Sequence, residues 1–279
     1  MTTTELTTTD PGPTSPAATP TPGAAPVGFA ATLRSEWIKL TTVRSTWWTL
    51  TAMFLLGAGL TALICWQNAD WLASDGADES PGSFLTWGMM IAQVTAVVLG
   101  ALVITSEYAT GMIRTSFAAT PRRTTVLMAK AILVSVMLFV AGTVTALVGY
   151  FAGNAFLENE GIGMALEGDV LRAMYGSGLY MAGLGLLTLA AGFLLRHTAA
   201  VISVVLAVVF VIGNMANLIP GDFGLWTMRL MPGNAGSAIS TPVSFNPNLL
   251  DPWPGFAVFV AEVTVLLVAA VVLVRRRDA

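Results

Sequence analysis

The chain has 279 residues and a formal net charge of −3. Hydrophobic residues make up 55% of it and charged residues only 10%, whereas an ordinary soluble domain has roughly 25% charged residues. So few charged groups exclude a water-soluble globule, and the composition predicts an integral membrane protein. The net charge is also too small to indicate a nucleic-acid partner.

The sequence lacks the motifs of the familiar catalytic and metal sites. A single cysteine, Cys65, excludes an intrachain disulfide, and no Cys/His cluster offers a metal site. The chain contains no Gly-Lys pair and therefore no Walker A motif. HExxH and GxSxG are absent too. We expect this chain to have no catalytic residue, no metal site and no cofactor of its own.

Residues 1–28 form a Thr/Pro/Ala-rich segment with two acids and no bases. Such a composition cannot bury enough apolar area to offset the entropy lost on ordering. We therefore predict a disordered cytoplasmic tail over residues 1–28, followed by one membrane domain over residues 29–279.

The membrane domain is predicted to be all-α, with six spans. A spanning helix needs about 20 mainly apolar residues, because the hydrocarbon core is roughly 30 Å thick. Helices are required because lipid offers no partners for backbone polar groups. Six windows meet this length: 46–66, 84–105, 126–152, 173–195, 198–219 and 255–274.

The positions of the basic residues predict the orientation of the spans. With the N-terminus inside the cell, all the Lys and Arg residues except Arg172 and Arg229 fall on cytoplasmic segments. The outer connections then hold most of the acids. We expect a multi-pass protein of the cell membrane with both termini in the cytoplasm, a basic inner loop over residues 106–125 and a long outer loop over residues 220–254.

An apolar stripe precedes the first span. Its members recur every three or four residues, the spacing of one helix face: Phe29, Leu33, Trp37, Leu40, Val43 and Trp47. Arg34 and Lys39 lie off the stripe, where they can meet anionic headgroups, although Glu36 falls within it. We predict an amphipathic interface helix on the inner membrane surface. A plain extension of span one is the alternative.

The inner loop has the features of a short helix between two bends. Glu107 directly follows span two, and Gly111 allows the first bend. The residues after Gly111 can form about two helical turns, which Pro121 would end. Arg122 and Arg123 would then anchor the chain to the inner leaflet before span three.

The outer loop contains one stretch with helical character, Leu225–Met231, which is too short to span a membrane. Pro232 and Gly233 are expected to stop it. An interfacial or re-entrant helix fits this stretch. It would either close a translocation path or tether spans five and six, and the sequence favours neither role.

Two charged residues fall within predicted spans, where such groups are costly and often functional. Lys130 lies one turn inside span three, from which we expect it to reach the cytoplasmic surface. Glu262 lies about two turns into span six from the outer side. It is interpreted either as a proton or cation site, or as a protonated or hydrogen-bonded group in the bundle interior.

Span four carries small residues at seven-residue intervals, namely Gly178, Gly185 and Gly192. This spacing keeps them close to one helix face, and small residues let helices approach closely in lipid. The stripe predicts tight packing within the subunit, with a dimer interface as the alternative.

Two motifs resemble a known family. The run Glu107…Gly111-Met112-Ile113-Arg114…Pro121-Arg122-Arg123…Lys130 resembles the cytoplasmic loop of ATP-binding-cassette permeases of the type-2 export family, as found in actinobacteria. The stretch Leu33–Trp48 resembles the interface helix of that family and the start of its first span. Met112 departs from the pattern, since family members often have Thr there.

The resemblance implies a type-2 exporter permease that works with a separate cytoplasmic ATPase, which binds ATP and Mg²⁺. Two permease subunits, identical or related, would form a path between them in the lipid. It implies contact with the ATPase, or orientation of the coupling helix, for a set of inner-loop residues: Glu107, Gly111, Arg114, Pro121, Arg122 and Arg123. The interface helix, with Leu33, Trp37 and Lys39, would brace that loop.

Two other functional classes stay open at this point. A stand-alone ion-coupled carrier or channel would require Glu262 and would transport without ATP. A sensor or scaffold in the membrane would bind partners without transporting anything. The apolar spans do not encode the substrate.

Overall fold

A computed structural model describes residues 28–113 and 123–276 of the chain. Within those ranges the secondary structure is helical throughout, without a strand. The predicted tail over residues 1–28 therefore stays a prediction, because residues 1–27 lie outside the described part. The same holds for the predicted helix of the inner loop beyond Ile113.

The prediction of six membrane spans is confirmed. Spans one to six are the helices Arg44–Leu72, Pro81–Thr110, Thr124–Asn159, Gly168–Leu195, Thr198–Met215 and Pro252–Val274. Most are longer than the predicted windows. Span three has 36 residues, about 54 Å at 1.5 Å per residue, so it extends well beyond a hydrocarbon core of about 30 Å.

Two of the spans are interrupted by a wider turn. Span one contains a π-helical segment at Leu55–Gly59, and span five contains another at Ala207–Ile212. Span five ends at Met215, four residues before the predicted end of its window, and a 3₁₀ turn, Ala216–Leu218, follows it. Such π segments often mark functional sites within helices.

Spans two and four form the centre of the bundle. In each of them 67% of the most apolar window is buried within the chain, against 28% or less in spans one, five and six. The outer four spans therefore keep most of their apolar surface for lipid or for another subunit.

The glycine stripe of span four packs within the subunit, in agreement with the first of its two interpretations. Gly178 and Gly185 face span three, while Gly192 faces Ile104 of span two. Span two also contributes Gly100, where an added Cβ would lie only 2.6 Å from the backbone oxygen of Gly185. The glycines thus permit backbone-to-backbone contact between central helices.

The interface helix, Phe29–Thr42, is separate from span one. Val43 has an extended backbone (φ −80°, ψ 122°) and ends it, so the alternative of a continuous extension is wrong. Its buried face consists of Thr32, Glu36 and Leu40. Leu40 of the apolar stripe thus faces the protein, whereas Phe29 and Trp37 of the stripe are exposed. Only part of the stripe faces away from the protein, as it would in a helix on a membrane surface.

The outer loop holds two helices where one was predicted. The first loop helix, Asp222–Leu230, contains most of the predicted stretch. Pro232 does end it, but Pro232 also starts the second loop helix, Pro232–Ser237, because proline suits the first turn of a helix. The second loop helix is re-entrant: Gly233 packs against the backbone of Val209 in span five, and Gly236 packs against Tyr180 in span four.

Candidate functional site

Four charged side chains meet in a buried cluster, which we call the charge cluster: Glu36, Lys39, Glu107 and Lys130. Glu36 and Lys39 come from the interface helix, Glu107 from the end of span two, and Lys130 from the start of span three. Lys130 Nζ lies 2.6 Å from Glu36 Oε2 and 2.8 Å from Glu107 Oε1. One lysine therefore bridges two carboxylates on different helices.

Lys39 bridges the same two carboxylates from the other side. Its Nζ lies 2.7 Å from Glu36 Oε1 and 3.0 Å from Glu107 Oε1. Lys130 Nζ also donates to the backbone oxygen of Val103, at 3.3 Å, so the three N–H donors of Lys130 each have an acceptor. The two lysines and two glutamates form a closed ring in which the formal charges cancel.

Three members of the charge cluster are almost completely buried. Glu36 is 2% exposed, Glu107 is 3% exposed and Lys130 is 2% exposed. The expectation that Lys130 reaches the cytoplasmic surface is wrong, because two carboxylates hold its ammonium group inside the protein. Such burial is tolerated only where the charges are paired and hydrogen-bonded.

The environment shifts the pKa values of the two members on the interface helix. Burial alone would raise the pKa of Glu36, but the charges and hydrogen bonds of Lys130 and Lys39 outweigh it and lower that pKa below its ordinary value. Burial alone would lower the pKa of Lys39, but Glu36 and Glu107 outweigh it and raise the pKa. Both groups are held in their charged forms.

The charge cluster ties together the two ends of the inner loop. Glu107 lies at the start of the loop and Lys130 follows its end, and both contact the interface helix. On that helix Glu36 and Lys39 are three residues apart, which places them on one face. One face of the interface helix therefore contacts both ends of the loop.

The start of the inner loop is fixed by further contacts. Gly111 caps span two in the left-handed conformation (φ 71°), which provides the predicted bend. Ile113 is 4% exposed and packs with Ile104, Leu127 and Phe193 in an apolar cluster. The Arg196 guanidinium, from the turn between spans four and five, lies 5.2 Å from the centre of the Tyr108 ring.

The structure brings some predicted site residues together and leaves others apart. Glu107 and Lys39 meet in the charge cluster. Leu33 is half-buried, and Trp37 is 47% exposed. The inner-loop predictions for Arg114, Pro121 and Arg122 fall outside the described residues, as does the Arg123 side chain.

Glu36 was missed by sequence reasoning, although a signal was present. It looked like an imperfection in an apolar stripe, but a charge at a membrane boundary usually has a partner. Lys130 needed a carboxylate, and Glu36 was a charge within an apolar stripe. These two anomalies indicated that each group has a partner, but not that they pair with each other.

Glu262 stands apart from the charge cluster. It is half-buried in span six, and its Oε2 atom has no hydrogen-bond partner among the described residues. In the same part of the chain no group of three or more His, Cys, Asp or Glu residues is arranged to hold a metal ion. The geometry therefore does not distinguish a proton or cation site at Glu262 from a protonated or hydrogen-bonded group in the bundle interior.

One comparison with known proteins bears on this site. The sequence matches the model of the family described as ABC-2 family transporter protein over residues 32–214, about two thirds of the chain. The matched range runs from the interface helix to the end of span five and includes all four members of the charge cluster. No curated protein matches the chain.

Proposed function

Since this chain belongs to the ABC-2 transporter family, we propose that it is the permease subunit of an exporter that a separate cytoplasmic ATPase drives. The observation that carries the proposal is the charge cluster, which joins the interface helix to both ends of the inner loop. Such a connection would transmit a force that acts on the loop to the membrane spans.

The charge cluster makes the base of the inner loop rigid. Removing one partner from a buried ion pair costs about 3–5 kcal/mol, because it leaves an uncompensated charge. A push on the loop would therefore move spans two and three together with the interface helix rather than separate them. Since span two lies at the centre of the bundle, this displacement would reach the whole permease.

The basic residues of the loop supply the contact with the ATPase in this proposal. Arg114, Arg122 and Arg123 lie on a short segment between two spans, where they could meet an acidic surface on the partner. ATP and Mg²⁺ would bind to that partner. A second permease subunit, identical or related, would complete a path that exports the substrate across the cell membrane.

The test is reconstitution with a candidate ABC ATPase from the same genome. We expect the two proteins to co-purify, and we expect the permease in lipid nanodiscs to stimulate ATP hydrolysis. Arg114→Glu should abolish both co-purification and stimulation. Arg229→Glu, a matched charge reversal in the outer loop, should leave both intact. An ATPase that stays bound to the Arg114→Glu variant and is still stimulated would contradict the coupling role of the loop.

The unpaired Oε2 atom of Glu262 favours one second candidate, a self-sufficient ion-coupled carrier. That function requires a titrating acid, so Glu262→Gln would abolish it. The exporter predicts instead that the Glu262→Gln permease still stimulates its ATPase. If the Glu262→Gln permease still co-purifies with the ATPase but no longer stimulates ATP hydrolysis, the result would favour an essential acid at Glu262.

A further inference from the structure

A polar cavity lies at the end of the bundle opposite the charge cluster. Its volume is about 150 Å³, and its walls come from spans two, four and five and from the second loop helix. The polar side chains that carry the inference are Ser83, Gln93, Ser177, Asn214, Asn234 and Ser240. None of the residues that line the cavity is a Lys, Arg, His, Asp or Glu.

One wall of the cavity is fixed by its own hydrogen bonds. The Tyr180 hydroxyl donates to Gln93 Oε1 at 2.6 Å, and Gln93 Nε2 donates to the backbone oxygen of Met90 at 2.8 Å. Gln93 and Tyr180 are both buried. This pair holds spans two and four in register at the cavity.

The cavity walls present free hydrogen-bond acceptors as well as free donors. The Ser177 hydroxyl donates to Ala173 O, and the Ser240 hydroxyl donates to Ser237 O, which leaves oxygen lone pairs toward the cavity. Asn214 and Asn234 each donate one amide N–H to a backbone oxygen. Their side-chain oxygens receive no hydrogen bond from the described residues.

Ser83 contributes a further polar group to the cavity. It is 1% exposed and lines the cavity, yet its Oγ has no hydrogen-bond partner among the described residues. A buried hydroxyl without a partner is destabilising. A ligand that bonds to Ser83 would remove that cost.

Charge and size limit the class of ligand. A charged group would be buried here without a counter-ion, which is strongly unfavourable. Four aromatic residues line the cavity, and three of their rings already pack against other rings. Trp87 and Phe245 lie with centres 6.0 Å apart, and Tyr180 packs on a ring outside the cavity at 5.4 Å, so they do not form an open cage for a cation. A cavity of about 150 Å³ accommodates a single six-membered ring.

We propose that this cavity binds an uncharged group that carries several hydroxyl or amide N–H donors and is about the size of one sugar ring. The donors of the group would meet the free acceptors of Ser177, Asn214 and Asn234, and Ser83 would complete the contact. Trp87 and Met90 of span two are exposed beside the cavity, and they mark its mouth on the lipid-facing side. The bound group therefore belongs either to the headgroup of a lipid or to a free solute.

The experiment measures binding by the full-length permease in phosphatidylcholine nanodiscs, prepared with a detergent that has no sugar headgroup. The probes are monoglucosyl diacylglycerol in the bilayer, methyl glucoside in solution, and phosphatidylglycerol as an anionic lipid with hydroxyls. Native mass spectrometry and thermal stabilisation report binding. We expect saturable binding of glucose-bearing probes and no comparable binding of phosphatidylglycerol. Binding of the glucolipid alone identifies a lipid source, and binding of methyl glucoside identifies a soluble one.

Matched variants decide whether the cavity is the site. Asn214→Leu should weaken binding about tenfold, a typical value for lost hydrogen bonds. Asn68→Leu is the control, because Asn68 bonds to the backbone oxygen four residues earlier, as Asn214 does, but lies outside the cavity. Equal affinity in both variants would overturn the proposal.

Ser83→Ala separates a ligand role from a structural one. It should raise the melting temperature of the ligand-free protein, since an unpaired polar atom is removed, and weaken binding of the glucose-bearing probe. Ser135→Ala, whose hydroxyl bonds within its own helix outside the cavity, should not weaken binding. If no glucose-bearing probe binds, the cavity holds water only and the proposal is wrong. Binding is measured without the ATPase, so this failure would leave the proposed exporter function standing.

Discussion

The two ends of this bundle treat buried polar groups in opposite ways. At the charge cluster, each lysine bridges both glutamates, and the charges cancel. At the outer-loop cavity no charged side chain lines the walls among the described residues, and Ser83 Oγ is without a hydrogen-bond partner there. Paired charges fix the helices that carry them, although Glu107 Oε2 in the charge cluster also has no partner in the described part of the chain. Uncharged polar groups can instead bind a neutral ligand. The charge cluster therefore positions the helices, and the cavity recognises a ligand.

One helix connects the two regions. Span two carries Gln93 in the cavity wall and Glu107 in the charge cluster, about 21 Å apart along the helix axis at 1.5 Å per residue. Because this span is also among the most buried, its displacement at one end would be felt at the other. The second of the following predictions tests that connection.

The largest effect is expected at Lys130. Lys130→Met leaves Glu36 and Glu107 buried with only the half-exposed Lys39 between them, so we expect a loss of about 3–5 kcal/mol of stability. Thermal melting of the purified protein in nanodiscs measures it. Lys39→Met is the matched control. The Lys39 side chain is 32% exposed, so water can reach its position in the charge cluster. We expect that variant to lose about 1 kcal/mol. Equal losses would mean that burial does not decide the strength of the charge cluster.

A medium effect is expected at Gly100, halfway between the two regions. The Cβ of Gly100→Ala would lie 2.6 Å from the backbone oxygen of Gly185, so spans two and four must separate. We expect a loss of about 1–3 kcal/mol, with glucose-bearing probe affinity and ATPase stimulation falling together. Gly59→Ala, a helical site with nothing within 4 Å of the added Cβ, should change neither. If only one of the two activities falls, span two does not connect them.

The spans were predictable from the sequence because lipid imposes a strong and local rule. Length and hydropathy alone located all six helices and the first loop helix. The packing of the glycine stripe in span four within one subunit was also among the expected outcomes. These features depend on residues close together in the chain, which a window of sequence contains.

The charge cluster and the cavity could not be predicted in the same way. Glu36 and Lys130 are 94 residues apart, and only the tertiary fold shows that they meet. Pro232 was interpreted as a stop signal, but proline ends one helix and starts another with equal ease. Whether the second loop helix re-enters the bundle depends on Gly233 and Gly236 finding close neighbours, and that information lies in spans four and five.

The smallest effect is a pH dependence that belongs to the charge cluster alone. The pKa of Glu36 is lowered by folding, so its contribution to stability is complete above its unfolded pKa, about 4.3. That contribution is lost as pH falls through the lower folded value. The pKa of Lys39 is raised, so its contribution is complete below about 10.4 and is lost as pH rises through the higher folded value. Between these limits the contribution should be constant.

The measurement compares melting temperatures of the wild-type protein and of a Glu36→Gln/Lys39→Met variant across pH. The difference in melting temperature should be constant near neutral pH and should shrink at both extremes of pH. At those extremes the wild type loses the stabilisation from Glu36 and Lys39, which the variant lacks at every pH. The binding of the glucose-bearing probe should be constant over the flat interval, since no Asp, Glu, His, Lys or Arg among the described residues lines the cavity. A probe affinity that changes near neutral pH would place a titrating group at the cavity and remove the contrast between the two ends.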